Sequence, residues 1–267
     1  MVYREVEPSP ALRGLVRCYW TLESQTPLDP QLVVPDGSME LIFHLGDPFE
    51  LENGAATQLQ SRLLLAGQLE GPVRLRATGQ VNVIGVRFLP GGAYPFLRFP
   101  LGEITGRIEE LANVWRAAAR ELLEQLQEGV CTGRRVALVD DFLTARLADR
   151  RAPETDAAVA STIDAIVRSG GRRPVASLHR DAGLSTRQLE RRFERAVGLK
   201  PKMFARVMRF QNAVRNAPQV RAADLAVECG YYDQAHMIRD FKQFCGTTPA
   251  EYLRVSHPMS DCFVYGE

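Results

Sequence analysis

The segment LHRDAGLSTRQLERRFERAVGLKP, from Leu178 to Pro201, recurs in altered form as LAVECGYYDQAHMIRDFKQFCGTTP from Leu225 to Pro249. The first residues of the two copies are 47 positions apart and the last residues 48 apart, so the second copy has one extra residue, in its turn. The matching pairs are Leu178 and Leu225, Gly183 and Gly230, Leu189 and Met237, Phe193 and Phe241, Gly198 and Gly246, and Pro201 and Pro249. Each copy predicts a short helix, a turn with glycine, and a second helix that ends at Gly-x-x-Pro. The repeat therefore predicts two successive helix-turn-helix units.

The second helix of each unit is predicted to project polar side chains into solvent. Ser185 and Asp233 are suited to cap these helices, because their side chains can accept from free N–H groups of the first turn. The large apolar residues lie four positions apart and point inward, so the polar residues between them point outward. The second helix of a helix-turn-helix unit typically enters the major groove of DNA. The outward residues predicted to contact base edges there are Arg187, Glu190, Arg191, Gln234, His236 and Arg239. Those predicted to contact phosphates are Ser185, Arg192, Arg195, Lys200, Arg206, Arg209 and Lys242.

The charge of the chain is unevenly distributed. The net charge is only +1, but residues 155–255 contain 17 Lys and Arg against 10 Asp and Glu, whereas residues 1–154 contain 16 against 20. A basic segment beside an acidic one predicts that only the carboxy-terminal part meets a polyanion. On charge alone, a solvated basic face without a partner is the alternative. Charged helix hairpins that merely pack together are the corresponding alternative for the repeat, and its tandem nature disfavours them.

Residues 150–156 (RRAPETD) combine charge and proline without apolar periodicity and are predicted to link two domains. The predicted domains are 1–152 and 153–256, followed by a tail, 257–267. Beyond the linker nearly all of the sequence has helical periodicity. The predicted helices are Ala157 to Arg168, Val175 to Ala182, Thr186 to Val197, Pro201 to Asn216, Ala222 to Cys229, Gln234 to Phe244 and Pro249 to Arg254. The helix from Pro201 to Asn216 joins the two units, and recognition helices about 34 Å apart would fall in successive major grooves.

The first hundred residues contain short apolar runs separated by Gly and Pro, which predict strands and turns. Two stripes with helical spacing follow, from Leu111 and from Val136. The members of the first stripe are Leu111, Trp115, Ala118, Leu122 and Leu126. The first stripe is predicted to cover the sheet rather than to pair with its twin in a dimer, since a small β domain needs a covering layer. The predicted fold class is α+β in two domains, a β-rich sheet or small barrel with covering helices and an all-α domain.

Residues 157–254 resemble the DNA-binding domain of the AraC/XylS family of bacterial regulators. The resemblance is carried by GLSTRQLERRFERAVGLKPKMFARVMRFQNA, similar to the family's first recognition helix and linker helix, and by DLAVECGYYDQAHMIRDFKQFCGTTPAEYLR, similar to its signature second unit. It places the six base-edge residues named above at base-reading positions. The sequence departs from the family pattern at Tyr232 and Asp233, where small polar residues are usual, and at Lys200, where Ser or Thr is usual.

The resemblance implies a sequence-specific transcriptional regulator that binds double-stranded promoter DNA, without a cofactor, a metal or enzyme activity. Small-molecule effectors, RNA polymerase and a second copy of the chain are open as further partners. The stretches VVPDGSMELIFHLG and IGVRFLPGGAY resemble a subgroup whose amino-terminal domain has no assigned ligand. The alternatives are a constitutive architectural DNA binder and a metal-dependent barrel enzyme with a DNA-binding tail. The enzyme is disfavoured because residues 1–154 contain a single histidine, His44.

An effector pocket in the amino-terminal domain is predicted from aromatic and ionisable residues on strands, which can line a barrel. The candidates are Trp20, Glu40, His44, Arg87 and Tyr94. Each has a purely structural role as its alternative. No run of eighteen apolar residues occurs and the first twenty residues lack a basic start, so the chain is predicted to be a cytoplasmic protein without a membrane partner. Its five scattered cysteines predict no disulfide framework, and a redox role for one of them is open.

Overall fold

The computed structural model describes residues 1–265 apart from 27, 54–55, 129–130, 149–155, 218–219, 221 and 256. The predicted α+β fold class is confirmed: a β-rich part is followed by an all-helical part. The predicted linker and domain boundary lie almost entirely outside the described residues. The strands are β1 (Val2–Val6), β2 (Val16–Ser24), β3 (Gln31–Val33), β4 (Glu40–His44), β5 (Phe49–Asn53), β6 (Ala56–Leu59), β7 (Leu63–Ala66), β8 (Val73–Ala77), β9 (Val81–Phe88) and β10 (Ile108–Glu110).

The first two helices precede β10, and all the others follow it. They are α1 (Tyr94–Leu97), a 3₁₀ helix (Leu101–Ile104), α2 (Leu111–Trp115), α3 (Ala117–Gln127), α4 (Thr132–Leu147), α5 (Ala157–Arg168), α6 (Val175–Asp181), α7 (Thr186–Val197), α8 (Pro201–Asn216), α9 (Ala222–Glu228), α10 (Gln234–Cys245), α11 (Pro249–Tyr252) and α12 (Pro258–Tyr265). The helices α7 and α8 have the predicted bounds. The helix α12 was not predicted and lies in the segment predicted to be a tail. None of the described helices has the length and apolar character needed to cross a bilayer.

The strands form two antiparallel sheets. One has the order β1-β2-β9-β4-β7-β10 and the other the order β3-β8-β5-β6. In the larger sheet, Glu40 lies opposite Arg87 on one side and Ala66 on the other. Trp20 and Ile42 are both paired with Gly85. Because residues opposite each other point to the same face, this register collects Trp20, Glu40 and Arg87 on one side of the sheet.

The two faces of the larger sheet belong to different cores. Trp20 and Val83 join a small core that also contains Phe49 and Leu75 of the second sheet. The opposite face, with Leu41 and Phe43, belongs to the main core, which continues through the helices into the carboxy-terminal domain. The second sheet therefore covers one face of the larger sheet, and helices cover the other.

The first stripe of helical residues is divided between two helices rather than forming one. The backbone of Arg116 has φ 51° and ψ −123°, which ends α2 and begins α3. The break shifts the helical phase, so Ala119 is buried in place of the predicted Ala118. The Trp115 indole donates a hydrogen bond to the carbonyl of Phe96 at 3.3 Å, and its ring contacts Phe142 of α4. The stripe is thus buried within the chain, as preferred from the sequence.

Candidate DNA interface and amino-terminal cavity

Corresponding glycines of the two units adopt the same backbone conformation. The turns contain Gly183 at φ 63° and Gly230 at φ 79°, and the recognition helices end at Gly198, φ 92°, and Gly246, φ 79°. A positive φ is accessible to glycine at little cost and is the usual way to end a helix. The repeat in the sequence is therefore a repeat in the structure.

Each recognition helix begins at a side-chain cap. The Ser185 hydroxyl accepts from the N–H of Gln188, and the Gln188 side-chain oxygen accepts from the N–H of Ser185. Asp233 accepts from the N–H of His236 at 2.7 Å in the second unit. The caps end the turn and leave the first turns of α7 and α10 at the surface.

One helix, α8, holds both recognition helices through aromatic contacts. Its Phe204 packs against Phe193 of α7 with ring centroids 5.6 Å apart. Two turns further, Phe210 packs against Phe241 and Phe244 of α10 at 4.9 and 5.4 Å. Because a single helix carries both contacts, the two units are fixed relative to each other.

The residues predicted to read bases lie mostly in solvent. Arg187, Arg191, Gln234 and Arg239 are exposed, whereas Glu190 is half-buried. His236 is also half-buried, since its ring meets Tyr231 edge-on at 5.3 Å. All six residues lie on the two capped recognition helices, α7 and α10.

Several residues predicted to contact phosphates already have partners in the chain. Lys200 and Lys242 are exposed. Arg192 lies 3.3 Å from the Asp156 carboxylate, and Arg195 donates to the Tyr94 hydroxyl at 2.7 Å.

The two arginines of α8 have partners within the chain. The Arg206 guanidinium binds the Asp240 carboxylate at 2.6 Å and the Gln243 amide oxygen at 2.6 Å. Asp240 is only 1% exposed and needs a nearby positive charge. Arg209 is half-buried, with its guanidinium over the Tyr231 ring at 5.6 Å. Both guanidinium groups are thus engaged within the chain, and their assignment as phosphate contacts stays a prediction.

Tyr232 is a surface residue beside the candidate interface that is not among the predicted DNA contacts. Its side chain is 92% exposed in the turn just before α10. An aromatic residue so exposed at the start of a recognition helix is available for contact with a sugar or base methyl group. The available signal was its departure from the small polar residue usual at this position.

The carboxy-terminal half of α7 packs against the amino-terminal domain. The Thr105 hydroxyl donates a short hydrogen bond to the carbonyl of Gly198, and Glu194 lies against Gly102 of the 3₁₀ helix. Arg195 and Tyr94 add a polar contact across the same boundary. The first turns of α7 lie beyond this contact, so docking leaves them exposed.

A cavity of about 70 Å³ lies between the two sheets. Three of the five predicted pocket residues, Trp20, Glu40 and Arg87, are among its lining residues. Its other polar lining side chains are Asp36, Ser38 and Gln60, and the rest of its wall is largely apolar. The three residues meet because of the pairing register of β2, β9 and β4. The alternation of residues along one strand does not reveal which residues of other strands lie beside it.

His44 and Tyr94, the other two predicted pocket residues, lie outside this cavity. His44 is at the end of β4, where its ring contacts Phe49 at 5.3 Å and its Nε2 lies 3.2 Å from the Gln60 amide oxygen. Burial lowers the pKa of His44 to about 4, so its ring is neutral at pH 7. Tyr94 belongs to the domain boundary, where it binds Arg195.

Arg87 lies between two carboxylates at the cavity. Its Nε is 3.2 Å from Glu40, and its Nη2 makes a short contact with Asp36. Burial raises the pKa of Glu40 to about 7, although the Arg87 charge and a hydrogen bond from Trp20 act in the opposite direction. Glu40 therefore gains or loses its charge near neutral pH.

The loop of residues 35–38 joins the cavity to α8. Its Asp36 binds Arg87, whereas the Pro35 carbonyl accepts from the buried Gln211 amide of α8 at 2.7 Å. At Gly37, φ is 81°, and an added Cβ would lie 2.6 Å from Met208 of α8. The loop thus contacts the cavity wall on one side and the helix between the two DNA-binding units on the other.

The helix α12 reaches back to the amino-terminal domain. The Ser260 hydroxyl donates to the carbonyl of Leu32 at 2.6 Å, and the Met259 N–H donates to Gln31 at 3.3 Å. The Met259 side chain is one of the cavity's lining residues. The cavity is therefore closed partly by a residue that follows the DNA-binding domain.

Residues 178–255 match the family described as Helix-turn-helix domain, and residues 4–110 match a Domain of unknown function (DUF6597). No curated protein matches the chain. Similar solved structures include ToxT from Vibrio cholerae O395, with 12% identity, 88% of this chain and 97% of that chain covered, and a TM-score of 0.47.

Two further matches are unsaturated fatty acid bound ToxT from Vibrio cholerae strain SCE256 and the AraC-like transcriptional activator CuxR. The former has 14% identity, covers 87% of this chain and 96% of that chain, and has a TM-score of 0.42. The latter has 15% identity, covers 83% and 86%, and has a TM-score of 0.26. These TM-scores lie below 0.5, so the description of the chain depends on the family matches and on the tandem units themselves. The chain thus carries a helix-turn-helix domain in residues 178–255 and, at its amino-terminal end, a DUF6597 domain in residues 4–110.

Proposed function

We propose that α7 and α10 read promoter DNA in successive major grooves and that the amino-terminal cavity regulates this binding. The observation that carries the proposal is that two capped, exposed helix starts are held by a single helix, α8. The base-reading residues would be Arg187, Glu190, Arg191, Gln234, His236 and Arg239. Arginine suits guanine and glutamine suits adenine, each good pair giving about 1–3 kcal/mol of discrimination.

Phosphate contacts would surround the two recognition helices. Lys200 and Lys242 are exposed and need no rearrangement, and Ser185 approaches a phosphate from the start of α7. Arg192 and Arg195 would exchange Asp156 and Tyr94 for phosphates. The exposed Arg192–Asp156 ion pair contributes only about 0–1 kcal/mol, so its exchange costs little.

Selection of bound duplexes from a random library with the full chain tests the readout. We expect a motif of two half-elements about one helical turn apart, one for each recognition helix. A folded protein that recovers no motif would instead be a non-specific, architectural DNA binder.

Arg239→Ala is expected to relax the preference at one base position by about 1–3 kcal/mol and to leave other positions unchanged. The matched variant Lys242→Ala lies three residues further on α10. It should lower the affinity for all DNA sequences alike and reduce the slope of log affinity against log salt concentration by about 1. Affinities for a set of single-base variants of the selected site, measured at several salt concentrations, separate the two effects. Equal losses across all sequences for both variants would contradict the base-reading role of Arg239.

The regulatory part of the proposal depends on the loop of residues 35–38. A ligand shifts DNA binding only if its affinity differs between two arrangements of the domains. The loop contacts both the cavity residue Arg87 and the α8 residue Gln211, so a change in the cavity wall would be felt at α8.

Asp36→Asn tests this connection without altering the DNA-binding domain. The variant weakens the link between the loop and Arg87, and we expect the DNA dissociation constant of the full chain to change at least about fivefold. The control Glu50→Gln weakens a carboxylate–arginine pair of the second sheet, with Arg76 at 2.7 Å, and should leave DNA affinity unchanged. If Asp36→Asn behaves like this control, the loop does not connect the cavity to DNA binding.

We infer no enzyme activity, because regulators of the AraC/XylS family, which residues 157–254 resemble, are generally not enzymes. Within the part of the chain that the structure describes, no group of three or more His, Cys, Asp or Glu side chains is placed to hold a metal ion. Contact with RNA polymerase and dimer formation stay open, and the cytoplasmic location stays a prediction from the composition.

A further inference from the structure

The cavity is lined by more acidic than basic side chains. Its lining includes one guanidinium, that of Arg87, and two carboxylates, those of Asp36 and Glu40. The Arg87 side chain is 3% exposed and is engaged by both carboxylates. A ligand anion would have to compete with these two acidic groups for the arginine, so the cavity is unsuited to a carboxylate or phosphate ligand.

The two carboxylates retain capacity to accept hydrogen bonds. A carboxylate has about four acceptor positions. Asp36 accepts from Arg87 and from the Ser38 N–H at 2.8 Å, and Glu40 pairs with Arg87 and accepts from Trp20. The negative charge of Glu5 acts on the same site, because it raises the pKa of Glu40 together with Asp36. A bound cation would relieve this repulsion and supply the missing donors.

The rest of the wall suits a short apolar body. The apolar lining side chains include Trp20, Val33, Ile42, Val73, Leu75 and Met259. The Trp20 ring can also contribute a cation–π contact. The volume of about 70 Å³ is roughly half that of a 150 Å³ cavity that holds benzene, which has six non-hydrogen atoms, so it accommodates about three non-hydrogen atoms.

We propose that the cavity binds a small organic cation, a short aliphatic amine whose ammonium group contacts the Asp36 and Glu40 carboxylates beside Arg87 and whose carbon chain lies among the apolar side chains. This inference rests on the proposed function, in which the cavity is the regulator's effector site, and it specifies the chemical class of the effector.

Titration of the full chain with three two-carbon probes tests the class. Ethylammonium, ethanol and acetate share a two-carbon chain and differ in the charge of the head group. We expect ethylammonium to bind at least about tenfold more tightly than ethanol, and acetate not to bind, by calorimetry at constant ionic strength. Tighter binding of acetate, or no binding of ethylammonium, would overturn the proposal.

Two variants locate the binding in the cavity. At pH 8, above the pKa of about 7 of Glu40, Glu40→Gln should reduce the affinity for ethylammonium about tenfold, because it removes one of the two carboxylate charges. Ala66→Leu fills the wall beside Glu40 without changing charge and should abolish binding of the amine. Glu50→Gln, in the second sheet, should bind as the unaltered chain does, with circular dichroism confirming that each variant is folded. Equal affinity of all three variants for the amine would place binding elsewhere and overturn the proposal.

The same preparations should be assayed on the selected DNA site. Retained DNA recognition with failure of the amine titration would overturn the ligand class and leave the DNA-binding function intact. Failure to select any DNA site would overturn the proposed function itself, whatever the amine result.

Discussion

Replacing Phe210 with alanine is expected to lower the free energy of unfolding by about 3–5 kcal/mol. Phe210 is fully buried and its ring contacts Phe241, Phe244 and Tyr252, so its removal leaves a cavity between α8 and α10. The second recognition helix should lose its fixed position, and affinity for the DNA half-element that it reads should fall far more than affinity for the other. Urea unfolding followed by circular dichroism, and binding to duplexes with one half-element altered, measure the two effects.

Phe204→Ala is the matched control for this experiment. Phe204 is also fully buried on α8, but its ring contacts Phe193 of α7. The Phe204→Ala variant should lower the free energy of unfolding by a similar amount and weaken binding to the half-element that α7 reads. Equal loss of both half-elements in both variants would show that the two units are not positioned separately by the aromatic contacts of α8.

The helix-turn-helix units could be predicted from the sequence because their determinants are local. The cap at Ser185, the left-handed glycine at Gly198 and the proline at Pro201 each act within one turn of the chain. These signals give the bounds of α7 and α8, and apolar spacing identifies the buried Leu189 and Phe193. The repeat supplied the same information a second time.

Features that depend on distant residues were not predictable in the same way. A helical stripe cannot reveal a positive φ at Arg116, which requires knowledge of the backbone conformation. The pocket residues of β2, β4 and β9 meet through strand register, so Trp20, Glu40 and Arg87 could only be proposed on residue type. The role of α12 was missed because its contacts with Gln31 and Leu32 join residues 228 positions apart.

Arg206 best shows how tertiary structure changes the interpretation of a charged residue. Its position on a basic helix favours a phosphate contact, but its partner Asp240 lies 34 positions away on α10. Arg206→Ala is expected to lower the free energy of unfolding by about 3 kcal/mol, because it leaves a buried carboxylate without its counter-charge. Urea unfolding measures this loss, and the slope of DNA affinity against salt concentration should stay unchanged.

The double variant Arg206→Ala, Asp240→Ala should recover part of the lost stability, since no buried charge is then left unpaired. Lys200→Ala is the matched comparison at the start of the same helix, where the lysine is exposed. It should leave stability unchanged and lower the salt slope by about 1, because it removes the proposed phosphate contact. If Arg206→Ala instead lowers the slope as Lys200→Ala does and leaves stability intact, Arg206 binds DNA. In that case the ion pair with Asp240 contributes little, and α8 takes part in DNA binding directly as well as holding the two recognition helices.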